Sequence, residues 1–349
     1  MPKRSLQTGV AYHGNRMLSH ARQDMRNIAK ADMDIVVHML SHTDLDRHKA
    51  VIKDIISASY DEGLEVWVDN WGLGGPPGDK SHFLSYYPDS HMYLSDGSML
   101  PVNVCLNSPD FRDFVKKWID SVYEIGGRKI FWDEPYIPVR KDSSGNLLYG
   151  CSCPRCKKLF EEKYGRTMPL FLDSDVEDFR TETIIDYFSE ITSYSASLGI
   201  ENIVCVMLGQ NLGINLDTLD RICSLPSMHN VGSDPYWYGK KDVNPYEFVY
   251  NGTKKNLDIA TKFNKGHNIW IQGFGVPKGR EEEIIEATAA AYDAGARCIL
   301  SWGYNGSESN TYRSENPLRV WDITVEAMRR IRDMERDRIL EENRRRYRK

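Results

Sequence analysis

The sequence predicts an α/β fold, a single (β/α)8 TIM barrel spanning residues 1–349. Two observations carry this. Apolar strand-like runs alternate with segments of helical period from one end to the other, and eight such pairs occur, the number at which a parallel sheet closes. A third observation weighs against the rival, a doubly wound sheet. That fold normally places a glycine-rich phosphate loop after its first strand, whereas Gly14 stands alone there.

The expected elements follow in order. The first strand is 9–13, then a helix over 19–30. The second strand is 33–39, followed by a helix over 43–62, with Thr43 as N-cap and Gly63 as its stop. The third strand, 64–69, opens onto a long Gly-, Pro- and Tyr-rich connection over about 70–107. A connection of that length is commonly a functional loop. The helix over 108–126 starts Ser-Pro-Asp, a capped start with proline where its missing N–H is harmless. The fourth strand is 129–134. A Cys-rich insertion over about 136–172 precedes a long helix over 176–198. Strands five to eight are 202–207, 230–234, 268–272 and 298–302, with helices over 216–224, 245–264 and 280–294 between them. A charged helix over about 317–349 ends the chain; its alternating Arg and Glu suit a solvated face laced by i,i+4 pairs, with a basic docking tail as the alternative.

The net charge of −5 gives no reason to expect nucleic acid as a partner. The basic start Pro2-Lys-Arg4 has no apolar run behind it, and no stretch approaches roughly 18 apolar residues. A cytoplasmic protein without a membrane partner is therefore expected. Seven cysteines agree, because an odd number leaves a disulfide framework incomplete. A homo-oligomer is left open.

In this fold the catalytic groups sit at the carboxy-terminal ends of the strands. The residues there are Tyr12, His13, His38, Asp69, Asn70, Trp71, Asp133, Glu134, Asp234, Tyr236, Trp237, Gln272, Phe274, Trp302, Tyr304 and Asn305. Carboxylates, amides and large aromatics make a sugar-binding set: rings stack on pyranose faces, polar groups take hydroxyls, and two carboxylates do acid–base or nucleophilic work. A phosphate substrate would call for Arg, Lys or glycine turns. The expected substrate-binding residues are Tyr12, His13, His38, Asp69, Trp71, Tyr136, Trp237, Gln272, Trp302 and Tyr304. His13 and His38 have no partner at metal-ligand spacing and read as structural or substrate-binding groups.

The expected catalytic residues are Glu134, Asp234 and Asp133. In Trp132-Asp-Glu-Pro135, proline holds Glu134 out of helical conformation at a strand end, and burial among aromatics would keep it protonated as an acid. Asp133 can orient it or pair with a cation. Gly232-Ser-Asp-Pro-Tyr-Trp237 repeats the carboxylate–proline–aromatic order, which makes Asp234 the second carboxylate. Asp69 is a third. Each also has a plainer reading as a loop-holding acid.

Cys151-Ser-Cys-Pro-Arg-Cys156 puts three thiols within six residues. They can face one ion, with Cys105 as a fourth ligand, and four thiolates make a closed structural zinc site. Reduced thiols without metal are the alternative reading.

The run Cys105-Leu-Asn-Ser-Pro109, then Phe111-Arg112, the strand-four acid pair, Cys151-x-Cys153-x-x-Cys156, Phe160 and Tyr164-Gly165 resembles glycoside hydrolase family 42 β-galactosidases and related glycosidase-like barrels of clan A type. The resemblance implies a structural zinc on Cys105, Cys151, Cys153 and Cys156, and Glu134 as general acid/base. It covers roughly residues 103–165 closely. Two positions depart from the family: Asp133 stands where it has asparagine, and Gln272 stands at or near its strand-seven nucleophile, a glutamate. An amide cannot be the nucleophile. Either Asp234 or Asp69 activates water in an inverting reaction, or Asp133 and Asp234 form a retaining pair, or the site only binds sugar. Glu308 is a further reserve. The expected function is a glycoside hydrolase acting on a carbohydrate. The alternatives are a sugar-binding protein on the same scaffold and another carbohydrate-active barrel enzyme, a lyase or isomerase.

Overall fold

A computed structural model of the chain describes residues 4–70, 81–133, 136–206 and 214–347. From the amino terminus the elements are β1 (Gln7–Tyr12), α1 (Leu18–Lys30), β2 (Ile35–Met39), α2 (His42–Arg47), α3 (Lys49–Asp61) and β3 (Glu65–Asp69). The connection after β3 holds α4 (Phe83–Tyr86), a 3-10 turn (Pro88–Ser90) and the hairpin β4 (His91–Tyr93)–β5 (Met99–Val104), and leads to α5 (Pro109–Glu124). After β6 (Lys129–Asp133) come the hairpin β7 (Val139–Lys141)–β8 (Leu147–Tyr149), α6 (Pro154–Tyr164) and α7 (Ser174–Ser197). The remainder is β9 (Glu201–Cys205), α8 (Leu216–Ser224), β10 (Met228–Ser233), α9 (Pro245–Lys262), β11 (Gly266–Gln272), α10 (Glu283–Asp293), β12 (Cys298–Trp302) and α11 (Pro317–Tyr347).

The strands β1, β2, β3, β6, β9, β10, β11 and β12 close into a barrel in chain order, alternating with helices, as the sequence predicts. Barrel strands are covered on both faces, which is why they read as continuous apolar runs rather than alternating ones. All of β1 and β2 is buried. By its internal contacts the chain divides into two compact units.

The first unit comprises Met1–Met39, Lys53–Trp67 and Asn230–Lys349. Here β1 pairs with β2 and β12, and β12 continues through β11 to β10. The register sets Tyr12 beside His38 and Gln272 beside Trp302, so these carboxy-terminal strand residues become neighbours. Gly9 permits the pairing of β1 with β2, because a Cβ there would lie 2.6 Å from the Ile35 carbonyl oxygen. At the opposite strand ends, Arg332 of α11 donates to Thr8 Oγ1 at 2.7 Å and Asp34 Oδ2 at 2.6 Å, anchoring the last helix.

The second unit comprises Leu40–Ile52 and Val68–His229. In it β6 pairs with β9 and with the end of β3. Its core is tied by Asn202, whose Oδ1 accepts from Trp132 Nε1 at 2.9 Å and Ser195 Oγ at 2.6 Å, and whose Nδ2 donates to the Thr192 and Ser227 carbonyls. A buried amide with every valence used fixes one arrangement.

Three expectations change. The helix over 43–62 is two helices meeting at His48, and its cap is Ser41 rather than Thr43. Ser41 Oγ accepts from the Asp44 N–H while Asp44 Oδ2 accepts from the Ser41 N–H, a reciprocal capping box that satisfies two amides. The helix over 280–294 is regular only from Glu283; before it the Glu283, Ile284 and Ile285 N–H groups close tighter i→i+3 turns onto the Arg280, Glu281 and Glu282 carbonyls. Strand five is regular to Cys205; Met207 lies outside the described residues. The charged C-terminal stretch lies in α11, laced by Arg330–Glu326, Arg338–Glu342 and Arg345–Glu341 pairs four residues apart. Among the described residues no helix is long and apolar enough to cross a membrane.

Candidate active site

In the first unit, β1, β2 and β12 deliver a cluster of rings. Tyr12 is 1% exposed and donates its hydroxyl to Asp24 Oδ2 at 2.7 Å. Tyr304, in the turn after β12, donates to Asp24 Oδ1 at 3.2 Å, and Asn15 Nδ2 donates to Oδ2 at 3.2 Å. Asp24, on α1, thus holds two tyrosines and an amide. Burial pushes Tyr304 up to about 12 and raises Tyr12 further, so both remain hydrogen-bond donors at neutral pH. His13 stacks edge-on against Trp302 at 5.0 Å, and Trp302 in turn against the buried Trp270 at 5.2 Å. Burial, with Arg16 nearby, lowers His13 to about 4, so its ring is neutral at pH 7. His38 is committed inward: its Nε2 lies 2.9 Å from Ser59 Oγ. Ser59 donates to the Ile55 carbonyl and therefore accepts from His38. Burial first, and Arg16 second, lower His38 to about 3.

Still in the first unit, β10 and β11 end in Asp234 and Gln272. Asp234 is 6% exposed, at the point where the backbone turns so that the Tyr236 N–H donates to the Asp234 carbonyl at 2.6 Å. Tyr236 packs edge-on against Phe274 at 5.1 Å, which places aromatic surface beside the carboxylate's loop. Gln272 accepts from the Tyr238 N–H at 3.1 Å and donates to the Phe274 carbonyl at 3.2 Å. Its amide organises the loops after β10 and β11. Trp237, expected to meet substrate, is 1% exposed and donates its indole N–H to Glu283 at 2.8 Å. It braces the loop against α10 and shows no face to solvent.

In the second unit, β3 and β6 end in Asp69 and Asp133. Asp69 is fully buried, and its carbonyl accepts from the Leu40 N–H at 3.1 Å. Asn70 Oδ1 accepts from the Asp133 N–H at 2.8 Å, fixing the backbone at the carboxy-terminal end of β6. Asp133 and Tyr136 are half-buried. Glu134 and Trp71 lie outside the described residues.

The same unit gathers Cys105, Cys151, Cys153 and Cys156, all buried, with their sulfurs within 4.8 Å of one another. Cys105 Sγ is 3.4 Å from Cys156 Sγ and 3.6 Å from Cys153 Sγ, far beyond the roughly 2.05 Å of a disulfide. Four converging thiols at van der Waals separation can hold a metal ion. Hydrogen bonds from Cys105, Cys151 and Cys156 favour the thiolate of Cys153, while Cys151 and Cys156 are pushed up by their neighbours. Asn107 Nδ2 donates to Cys156 Sγ at 3.4 Å, an outer support of the kind that orients metal ligands. Arg180, buried, donates to the Gly150 and Ile137 carbonyls and holds the loop that carries Cys151.

Sequence reasoning missed two groups. Asp24 lies mid-helix, and nothing in its spacing points to the strand-end tyrosines. His42, Asp46 and His82 come together in the second unit; the His42-x-x-x-Asp46 spacing on a helix was the available signal.

No family model and no curated protein matches the chain. Solved structures do resemble it. The catalytic domain of β-amylase from Paenibacillus polymyxa superposes with a TM-score of 0.64 at 9% identity, covering 92% of this chain and 98% of that one. An endo-1,4-β-mannanase from Rhizomucor miehei gives 0.62 at 10% identity, covering 94% and 96%. A D-allulose 3-epimerase from a Methylomonas species gives 0.52 at 15% identity, covering 95% and 98%. At these identities the likeness is one of fold.

Proposed function

We propose that this chain is a carbohydrate-active enzyme working as one barrel domain, and that within this class it is a glycoside hydrolase. The observation that carries the reading is the nearly buried carboxylate of Asp234 at the carboxy-terminal end of β10, with Tyr236 and Phe274 beside its loop. The β-amylase, the mannanase and the epimerase that share the fold are named for sugar chemistry, which favours the same class.

In this reading Glu134, directly after β6, protonates the leaving oxygen. Asp234 activates water or attacks the anomeric carbon, and Asp133 orients or assists. His13 and Trp302 supply sugar contacts, and Tyr304 a donor held by Asp24. The four cysteines hold a structural zinc, as in the glycosidase-like barrels that residues 103–165 resemble. Zinc in a closed thiolate site supplies stability to the insertion. None of the seven cysteines forms a disulfide, which suits a reducing cytoplasm.

A second reading, a sugar-binding protein on a glycosidase scaffold, is favoured by Gln272, whose amide is spent within the protein. The test is release of aryl leaving group from α- and β-glycosides by wild type, Glu134→Gln and Asp234→Asn. A hydrolase loses about a hundredfold or more in each variant, the scale of an acid–base group. Sugar affinity without turnover, unchanged in Glu134→Gln, selects the binding protein instead. Where turnover is found, NMR of the first-formed anomer separates inverting from retaining chemistry.

A further inference from the structure

We propose that His42, Asp46 and His82 form a second metal site, distinct from the four cysteines, for a first-row divalent ion of the Zn2+ or Cu2+ type. One ring nitrogen from each histidine and one carboxylate oxygen of Asp46 lie within 4.8 Å of one another. His82 Nε2 is already 2.9 Å from Asp46 Oδ2. Two imidazoles and a carboxylate are a borderline donor set, which such ions favour over magnesium or calcium.

The site is built from two places. His42 and Asp46 stand four residues apart on α2, hence on one helix face. The capping box at Ser41 and Asp44 fixes the start of that helix and with it the direction of His42. His82 arrives from the connection after β3, immediately before α4. The two imidazoles stack with centroids 3.6 Å apart and planes within 8°.

Ser81 supplies the outer support. Its Oγ lies 2.9 Å from His42 Nδ1 and accepts from the Phe83 N–H at 3.1 Å. In the tautomer whose Nδ1–H donates to Ser81 Oγ, the Nε2 lone pair of His42 is left for the ion, the arrangement common around metal-bound histidine. Donors around a tetrahedral ion at about 2.0–2.1 Å stand roughly 3.3 Å apart. The χ2 angle of His82 is a soft torsion, about which its ring can reorient toward an ion. Its side chain is 36% exposed and has room to turn. Three protein donors leave a coordination position for water or a small anion. Bound metal would fasten the segment around His82 to α2. The inference is independent of the proposed hydrolase.

The test is calorimetric titration of Zn2+ alone into the whole protein carrying its cysteine-bound metal. Wild type is expected to take up one further equivalent that His42→Gln/His82→Gln does not. Ser81→Ala keeps all three ligands and should weaken the binding by about tenfold or more. Electron paramagnetic resonance of added Cu2+ should show two imidazole nitrogens in wild type. That spectrum stands without any variant, so a double variant that misfolds by circular dichroism leaves the test intact. No further uptake by wild type, uptake unchanged in a folded double variant, or a Cu2+ spectrum without two nitrogens would each overturn the proposal.

Discussion

Gln272 and Tyr238 are joined by a hydrogen bond from the Tyr238 N–H to Gln272 Oε1 at 3.1 Å, and the other end of the same amide donates to the Phe274 carbonyl. The position resembling a glycosidase nucleophile is thus a clamp between two loops. Gln272→Glu keeps the acceptor for Tyr238 but sets a carboxylate oxygen against the Phe274 carbonyl. With only 5% of the residue exposed, we expect a loss of about 1–3 kcal/mol, read as a lower urea midpoint, and no gain of glycosidase activity. A variant as stable as wild type, with new turnover, would restore the position as a nucleophile site.

Acid should destabilise the fold through His38. Its folded value is depressed to about 3 by burial, against 6.5 for the ordinary group, so the unfolded chain takes up the proton first. The stability tied to its neutral form is complete above about pH 6.5 and falls as pH drops toward 3. We expect about 2 kcal/mol to be lost from this residue by pH 5. Unfolding free energies from urea titrations near neutrality and near pH 5 should differ by about that much less in His38→Gln than in wild type. Equal pH dependence in both proteins would remove His38 from the acid response.

Elemental analysis should find one tightly held zinc per chain that Cys105→Ser and Cys156→Ser lose. Asn107→Ala removes the N–H that meets Cys156 Sγ while keeping all four thiols, and should weaken metal affinity by about tenfold or more. Stripping the metal should expose the cysteine sulfurs to a thiol reagent. If the native protein as purified is metal-free and all four thiols titrate in it, the centre is a cluster of reduced cysteines.

The cysteine motif shows how far local spacing reaches. Cys151, Cys153 and Cys156 are close in sequence and had to be close in space. Cys105, the fourth member, from the connection between β5 and α5, joins them within 4.8 Å as the resemblance implied. Trp237 shows the limit. A tryptophan after a strand reads the same whether it faces sugar or packs inward, and its partner Glu283 lies 46 residues away. The same holds for Asp24, whose tyrosines come from β1 and from a turn some 280 residues later.

The sequence by itself determined the eight strand–helix pairs, the barrel they close and the acids and rings at the strand ends. Those follow from periodicity and chain order, which are local. Only the tertiary structure decided which of those residues are spent on the protein. Gln272, His38 and Trp237 are engaged by partners on other elements, and His42, Asp46 and His82 meet because a capped helix and a distant connection converge. Hydrogen bonding and burial depend on neighbours that no linear spacing specifies, so the same residue types separate into structural and chemical roles only after the chain has folded.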